Sequence, residues 1–376
     1  MKKAMFVDVD GHILEPPDIW QKYAEPKYRE RTLRLTKDKE GLECMSIDGQ
    51  PSWFFQGGVL AAIAAIGKDV RPFLMPGKIS YKKAMLPGGY DPHERIKVMD
   101  AEKIDMTMVY PSLGLGWESD CQDPQLAAAT CRAYNNWVFD FCKPYPNRLV
   151  SVAHIPTKDL KESVKELKRT AKLGAKAGMI SSNSVSGKPY GDHYFDPLWA
   201  QAQELEIPMT IHPTGGSNSV FTRLYPRRED NSTWWVFVTA GDDVKLQFTT
   251  MFNGGVFDRF PRLKVVVLES SIGWLVPWLD RMDDKFKVNG FTTPMKEKPS
   301  TYFQRQCFIA MDPDERLARF SIEVLGADKF VWAYDYPHSD SPVNPVSNLK
   351  KTLKGLPVKD QQKVMGGNAI SLYKMR

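Results

Sequence analysis

The stretch from Phe330 to Asp340, FVWAYDYPHSD, sets the reading of this chain. Its β-favouring residues lead into Asp335 and Pro337 soon follows, so the aspartate is expected at the carboxyl end of a strand. The same shape recurs at PMTIHPTG (208–215), where His212 precedes Pro213, and at FVDVDGH (6–12), where a short apolar run leads into Asp10 and His12. In α/β proteins that edge of the sheet is where chemistry is placed. Three strand ends that together offer Asp, His, His and Asp predict a divalent metal site.

Outward from these segments the pattern repeats. Strands are predicted over residues 5–10, 106–110, 149–154, 175–181, 208–212, 263–269, 306–310 and 330–335. Apolar positions spaced three and four apart predict helices over 124–142, 158–174 and 196–206, with Asp123 and Asp196 as caps and Gly174 as a stop. A further helix is expected over 232–252. Eight strands, most of them separated by helices, are what a closed parallel barrel requires, so a single domain spanning 1–376 is the simplest architecture.

Two stretches break this rhythm, 13–90 after the first strand and 213–258 after the fifth. Both are far longer than ordinary βα connections, and both leave from carboxyl ends, so they are expected to cover the mouth of the barrel and shape the substrate pocket. Their aromatic residues, Trp53, Phe54, Phe55, Trp234 and Trp235, suggest a small aromatic or apolar ligand, with core packing of the rings as the alternative.

Composition narrows the function classes. The 51 basic and 45 acidic residues are interspersed, which gives a net charge of +6 without the basic stripe that nucleic-acid binding needs. No apolar run approaches the length of a membrane span, and the amino terminus lacks the apolar core of a secretory signal. Five scattered cysteines with no CxxC pair suit a reducing compartment, so a cytoplasmic protein is expected. GxSxG, P-loop and GxGxxG motifs are absent, leaving serine-hydrolase and nucleotide chemistry without support.

Taken together, DVDGHILEPPDIW, IPMTIHPTG, VVVLESSIGWLVPWLDRMD and LGADKFVWAYDYPHSD resemble the amidohydrolase-related branch typified by aminocarboxymuconate semialdehyde decarboxylase, over essentially the whole chain. The resemblance implies a distorted (β/α)8 TIM barrel, a homodimer and one divalent metal ion, with zinc first in expectation and manganese, iron or cobalt as alternatives. It maps the metal ligands onto Asp10, His12, His212 and Asp335. This chain departs from the branch in having Asp10-Gly11-His12 on the first strand. Where the branch tends to end its sixth strand in a histidine, this chain has Glu269 in LESSIG. The fourth strand ends in Ile180, Ser181 and Ser182 and puts Lys176 at its far end, so the carboxylated lysine of two-metal members has no counterpart and one metal is favoured.

The loss of that histidine favours hydrolysis. The expectation is therefore a metal-dependent hydrolase of an acyl bond in a small organic substrate. In it Asp335 accepts the proton of a metal-activated water and Glu269 or His338 assists the leaving group. The alternative is non-oxidative decarboxylation of an aromatic or unsaturated acid, and a second alternative is a non-catalytic binding module. Asp8 shares the parity of Asp10 and His12 but lies one layer deeper. His154 and His338 are open between substrate contact and structural roles. Glu15 is open between supporting a ligating group and a helix start, and Arg95 between a substrate carboxylate and a salt bridge. His93 and His193 are expected on the surface.

Overall fold

A computed structural model describes residues 4–227 and 230–375. Among them β1 (Val7–His12), β5 (Met106–Tyr110), β6 (Leu149–His154), β7 (Ala177–Ser181), β8 (Met209–His212), β9 (Val265–Val267), β10 (Cys307–Met311) and β11 (Phe330–Trp332) form a closed barrel. The strands run in the order β1-β11-β10-β9-β8-β7-β6-β5, and every barrel pair is parallel. This is the (β/α)8 barrel that the strand spacing predicts. The strands are buried on both faces, which is why they read as continuous apolar runs rather than alternating ones.

The first long insertion is not all loop. It carries a small antiparallel sheet of β2 (Arg34–Lys37), β3 (Glu43–Ile47) and β4 (Gln50–Pro51). The second insertion contains the helix Thr233–Asn253, whose start is held by Ser232 accepting the amide of Trp235; Arg228 and Glu229 lie outside the described residues.

Other helix signals read as expected, with one exception. Asp123 caps Pro124–Cys142 by accepting the amides of Gln125 and Leu126, and Gly174, at φ 99°, ends Leu160–Leu173 in the left-handed region. Asp196 is the first residue of its helix instead of the cap, because its carboxylate pairs with Arg259 at 2.7 Å and with His193 at 2.8 Å.

Inside the barrel, Val7, Val9, Met106, Met108, Val150, Val152, Met179, Val266 and Val331 make the packed core. Ala369, Tyr373 and Met375, from the carboxyl-terminal segment, join the same cluster. Each such aliphatic side chain stabilises the fold by about 1.5–3 kcal/mol on burial.

One irregularity in β1 decides which side chains reach the mouth. Asp8 pairs with Thr107 and Gly11 with Val109, so three steps on β1 match two on β5, and the strand carries a bulge. Below the bulge Val7 and Val9 point into the barrel and Asp8 points out; above it Asp10 and His12 point in. Asp8 therefore does not share a face with them, and simple alternation fails at this one step. Its carboxylate accepts from the hydroxyl of Thr107 at 2.6 Å and from the amides of Tyr334 and Asp10 at 2.9 and 3.1 Å. The role of Asp8 is to pin the bulge.

Candidate metal centre and cavity

Asp10, His12 and His212 converge at the mouth of the barrel, all fully buried. His12 Nδ1 lies 2.6 Å from the carbonyl of Pro111 and His212 Nδ1 lies 2.7 Å from that of Pro213. A ring nitrogen facing a carbonyl must donate, so in each neutral ring Nε2 carries the lone pair. The two Nε2 atoms stand 3.3 Å apart. Asp10 Oδ1 is 3.5 Å from His12 Nε2 and 3.6 Å from His212 Nε2, and neither oxygen of Asp10 receives a hydrogen bond. With both rings neutral, buried acceptors aimed at one another without a donor are costly unless a cation sits among them. Nitrogen and carboxylate oxygen together suit a first-row divalent ion such as zinc or manganese.

Glu269 completes this group. Its backbone turns at φ 37° directly after β9 and Leu268, which swings the carboxylate toward the site at 3.5 Å from His12 Nε2 and 3.6 Å from His212 Nε2. Asp10, His12, His212 and Glu269 offer donor atoms within 4.8 Å of one another. Asp335, at φ 60°, belongs to a second, overlapping group with His12, Glu269 and His338. Its Oδ1 is 3.1 Å from His12 Nε2 and 2.8 Å from His338 Nδ1. The expected quartet of Asp10, His12, His212 and Asp335 is thus split, with Glu269 bridging the two halves. Two left-handed non-glycine residues at one site mark stored backbone strain.

Electrostatics follow from this crowding. Burial works against charge on His212, yet the carboxylates of Glu269 and Asp10 outweigh it and lift the ring to about 9. Burial, and then the neighbouring rings of His338 and His212, drive His12 down to about 3 against the opposing pull of Glu269. Burial lifts Asp10 to about 6 against the opposing pull of His212. Burial and then the charges of Glu269 and Asp340 push the Asp335 carboxyl well above the usual range.

Behind the two histidines stands one loop. Glu15, fully buried, accepts the amides of Ser112, Leu113 and Gly114 at 3.0, 3.0 and 2.9 Å. That loop supplies Pro111 O to His12 and Ser112 Oγ to His338 Nε2 at 2.8 Å. Glu15 contacts no ligating group itself and does not cap a helix; it fixes the loop that orients both rings. Arg95, also buried, donates to the carbonyls of His12 and Gly88 at 2.6 and 3.3 Å and lies over the Tyr336 ring. The salt bridge expected of Arg95 is not formed among the described residues. A helix surface position gave no signal that the side chain would run inward to the end of β1.

His154 is buried beside Glu118, at 3.5 Å, and away from the metal-capable groups. His93 and His193 are exposed, on Tyr145 and Asp196 respectively. All five cysteines are buried and free, and burial raises the thiols of Cys121, Cys131, Cys142 and Cys307, which makes them poor nucleophiles.

Above the cluster opens a cavity of about 150 Å³. Phe54, Phe55, Leu60, Ile63 and Val70 from the first insertion and Val236, Phe237 and Ala240 from the second form apolar walls, and Glu269, His338 and Asp340 also line it. Trp53, Trp234 and Trp235 are not among the lining residues; Trp234 is 72% exposed. No helix among the described residues is long and apolar enough to cross a membrane.

A model of the amidohydrolase family matches residues 7–375. The decarboxylase orsB of Emericella nidulans is 35% identical over 51% of this chain and 59% of its own length, so the alignment leaves about two fifths of that protein unmatched. A gamma-resorcylate decarboxylase of Polaromonas is 25% identical over 75% of this chain and 86% of its own. Among solved structures, an amidohydrolase of Mycobacterium avium subsp. paratuberculosis superposes with a TM-score of 0.83 at 21% identity, covering 99% and 98% of the two chains. These relatives overturn the expectation of acyl-bond hydrolysis, because both curated proteins are decarboxylases. That expectation rested on Glu269 standing in for a histidine, and Glu269 lies among the metal-capable donors, where it is no argument for a leaving-group acid.

Proposed function

Because the chain belongs to the amidohydrolase family, an enzyme family, we propose that it is a metal-dependent non-oxidative decarboxylase of a small hydroxyaryl carboxylic acid. The reading as a non-catalytic binding module falls with that membership. The observation that carries the proposal is the juxtaposition of an aromatic-walled cavity with a cluster of unsatisfied acceptors. An aryl ring fits the walls, and its oxygen substituents need a cation that the acceptors can hold.

In this reading Asp10, His12, His212 and Glu269 hold one divalent ion. Bound there, it would polarise the carboxylate and neighbouring oxygen of the substrate. Phe54, Phe55 and Phe237 hold the ring and exclude water. Asp335 delivers its proton to the ring carbon that carries the carboxylate. The carbon–carbon bond then breaks, its electron pair returns to the ring, and carbon dioxide leaves. His338, between Asp335 and Ser112, orients the acid and passes the replacement proton.

The test is carbon dioxide release from a panel of hydroxybenzoates by the metal-loaded protein. Stoichiometric appearance of the decarboxylated arene supports the reading. Release from none of the panel, with acyl substrates cleaved instead, overturns it.

A further inference from the structure

A second cavity, of about 430 Å³, opens beside the first and has the opposite character. Three cations, Lys158, Lys188 and Arg223, line it, and among the described residues no carboxylate does. The rest of its wall is amide, hydroxyl and backbone, from Gln122, Asn183, Asn218, Gln247, Ser119 and Ser184 among others. We propose that this cavity binds a small molecule bearing a phosphate group.

Several features preorganise it. Lys158, half-buried, has its ammonium fixed by the carbonyl of Cys121 and, at 3.4 Å, by Gln122 Oε1, so the charge is held in place before any ligand arrives. Gln247 accepts the amide of Tyr190 through Oε1 at 3.3 Å, which leaves its NH2 to donate. Asn218 Oδ1 is buried without a partner among the described residues, an unmet group that a hydroxyl or a protonated phosphate oxygen would satisfy.

The carboxylate of Asp243 beside Arg223 is already engaged. Asp243 lies close enough to Arg223 to feel its charge, but its two oxygens accept the amide of Val220 at 2.9 and 3.1 Å. Lysines act on phosphate as point charges, and a fork from arginine adds directional donors; three cations from two loops and the short helix Val220–Leu224 suit a dianion better than a single carboxylate.

Its position gives the site a reason to exist. Thr214 and Gly215 line the first cavity and Asn218 the second, so the segment that leaves His212 is a shared wall. Leu115 and Ser119 make the same division on the loop after β5. A ligand in the second cavity would set the position of two loops that shape the first. The proposal does not depend on which reaction the metal-capable cluster performs.

Titration calorimetry of the full metal-loaded chain with inorganic phosphate, with chloride holding the ionic strength constant, tests it. Saturable binding is expected, with Lys188→Gln and Arg223→Gln each weakening it about tenfold, the loss of a charge-assisted contact. Both side chains are exposed, so neither change should lower Tm or metal content. Three outcomes overturn the proposal: no saturable heat, heat unchanged in both variants, or heat abolished by prior saturation with a dihydroxybenzoate, which would put the anion at the metal centre.

Discussion

His12 Nε2 and His212 Nε2 face each other across 3.3 Å, although their residues are two hundred positions apart, and each ring is locked by a backbone carbonyl on its far side. With both rings neutral, two lone pairs in that relation call for a shared cation. Elemental analysis should find one divalent ion per chain, and His12→Ala or His212→Ala should lose it. Chelation of the wild type should lower Tm. An ion present at a thousand times its Kd contributes about 4 kcal/mol to stability.

Asp335→Asn should abolish turnover and leave metal content and aryl-carboxylate binding intact. Loss of a positioned proton donor costs on the order of a hundred to ten thousandfold in kcat. His338→Ala should fall short of that loss and shift the pH profile of kcat, since it orients Asp335 at 2.8 Å without touching the reacting carbon in the proposed pose. Stopped-flow measurement of product formation separates the two.

Glu15→Gln would place an amide NH2 against backbone N–H groups that now share a carboxylate. Leaving one or two buried donors unmet costs about 1–3 kcal/mol each. Because the same loop holds both His12 and His338, kcat should drop beyond what the change in folded fraction explains. Denaturant melts alongside initial rates would show whether the two effects part.

Gly11→Ala tests the bulge. A Cβ there would meet the hydroxyl of Thr107 and stand 2.6 Å from Asp8 Oδ2 and 2.7 Å from Arg95 Nη2. Overpacking of this kind costs about 1–3 kcal/mol, and here it would also displace the strand that delivers Asp10 and His12. Reduced metal occupancy at saturating ion is the expected readout.

Asp243 gives a pH signature remote from the metal-capable cluster. Burial raises its carboxyl from 3.8 to about 6, so the folded state keeps the proton longer than the unfolded chain does. Its contribution to stability is whole below pH 4 and is lost as the pH rises toward 6. The loss amounts to about 2–3 kcal/mol at most. Asp243→Asn should flatten the Tm profile across that interval.

The barrel was legible because its physics is local. A parallel strand buried on both faces must be apolar along its length, and a polar residue before a proline or glycine ends it visibly, as Ile211, His212 and Pro213 do. Boundaries drifted where irregular backbone takes over: β9 is Val265–Val267 and β11 is Phe330–Trp332, both shorter at the carboxyl end than the apolar runs suggest. The sheet β2–β4 was missed because its short strands pair only with one another and not with the barrel.

For the site, the sequence by itself identified Asp10, His12, His212 and Asp335 as the groups to watch, since ionisable residues at strand ends stand out against apolar runs, and the resemblance to the family added Glu269 and His338. It could not say how they divide. Alternation along β1 put Asp8 with Asp10, and only the pairing with β5 revealed the bulge that turns it away. The left-handed backbone of Glu269 and Asp335, and the long reach of Glu15 and Arg95 to loops about a hundred residues distant or to the end of β1, exist only once the barrel closes. Side-chain identity is written in the chain, but direction depends on register, and register is settled between strands rather than within one.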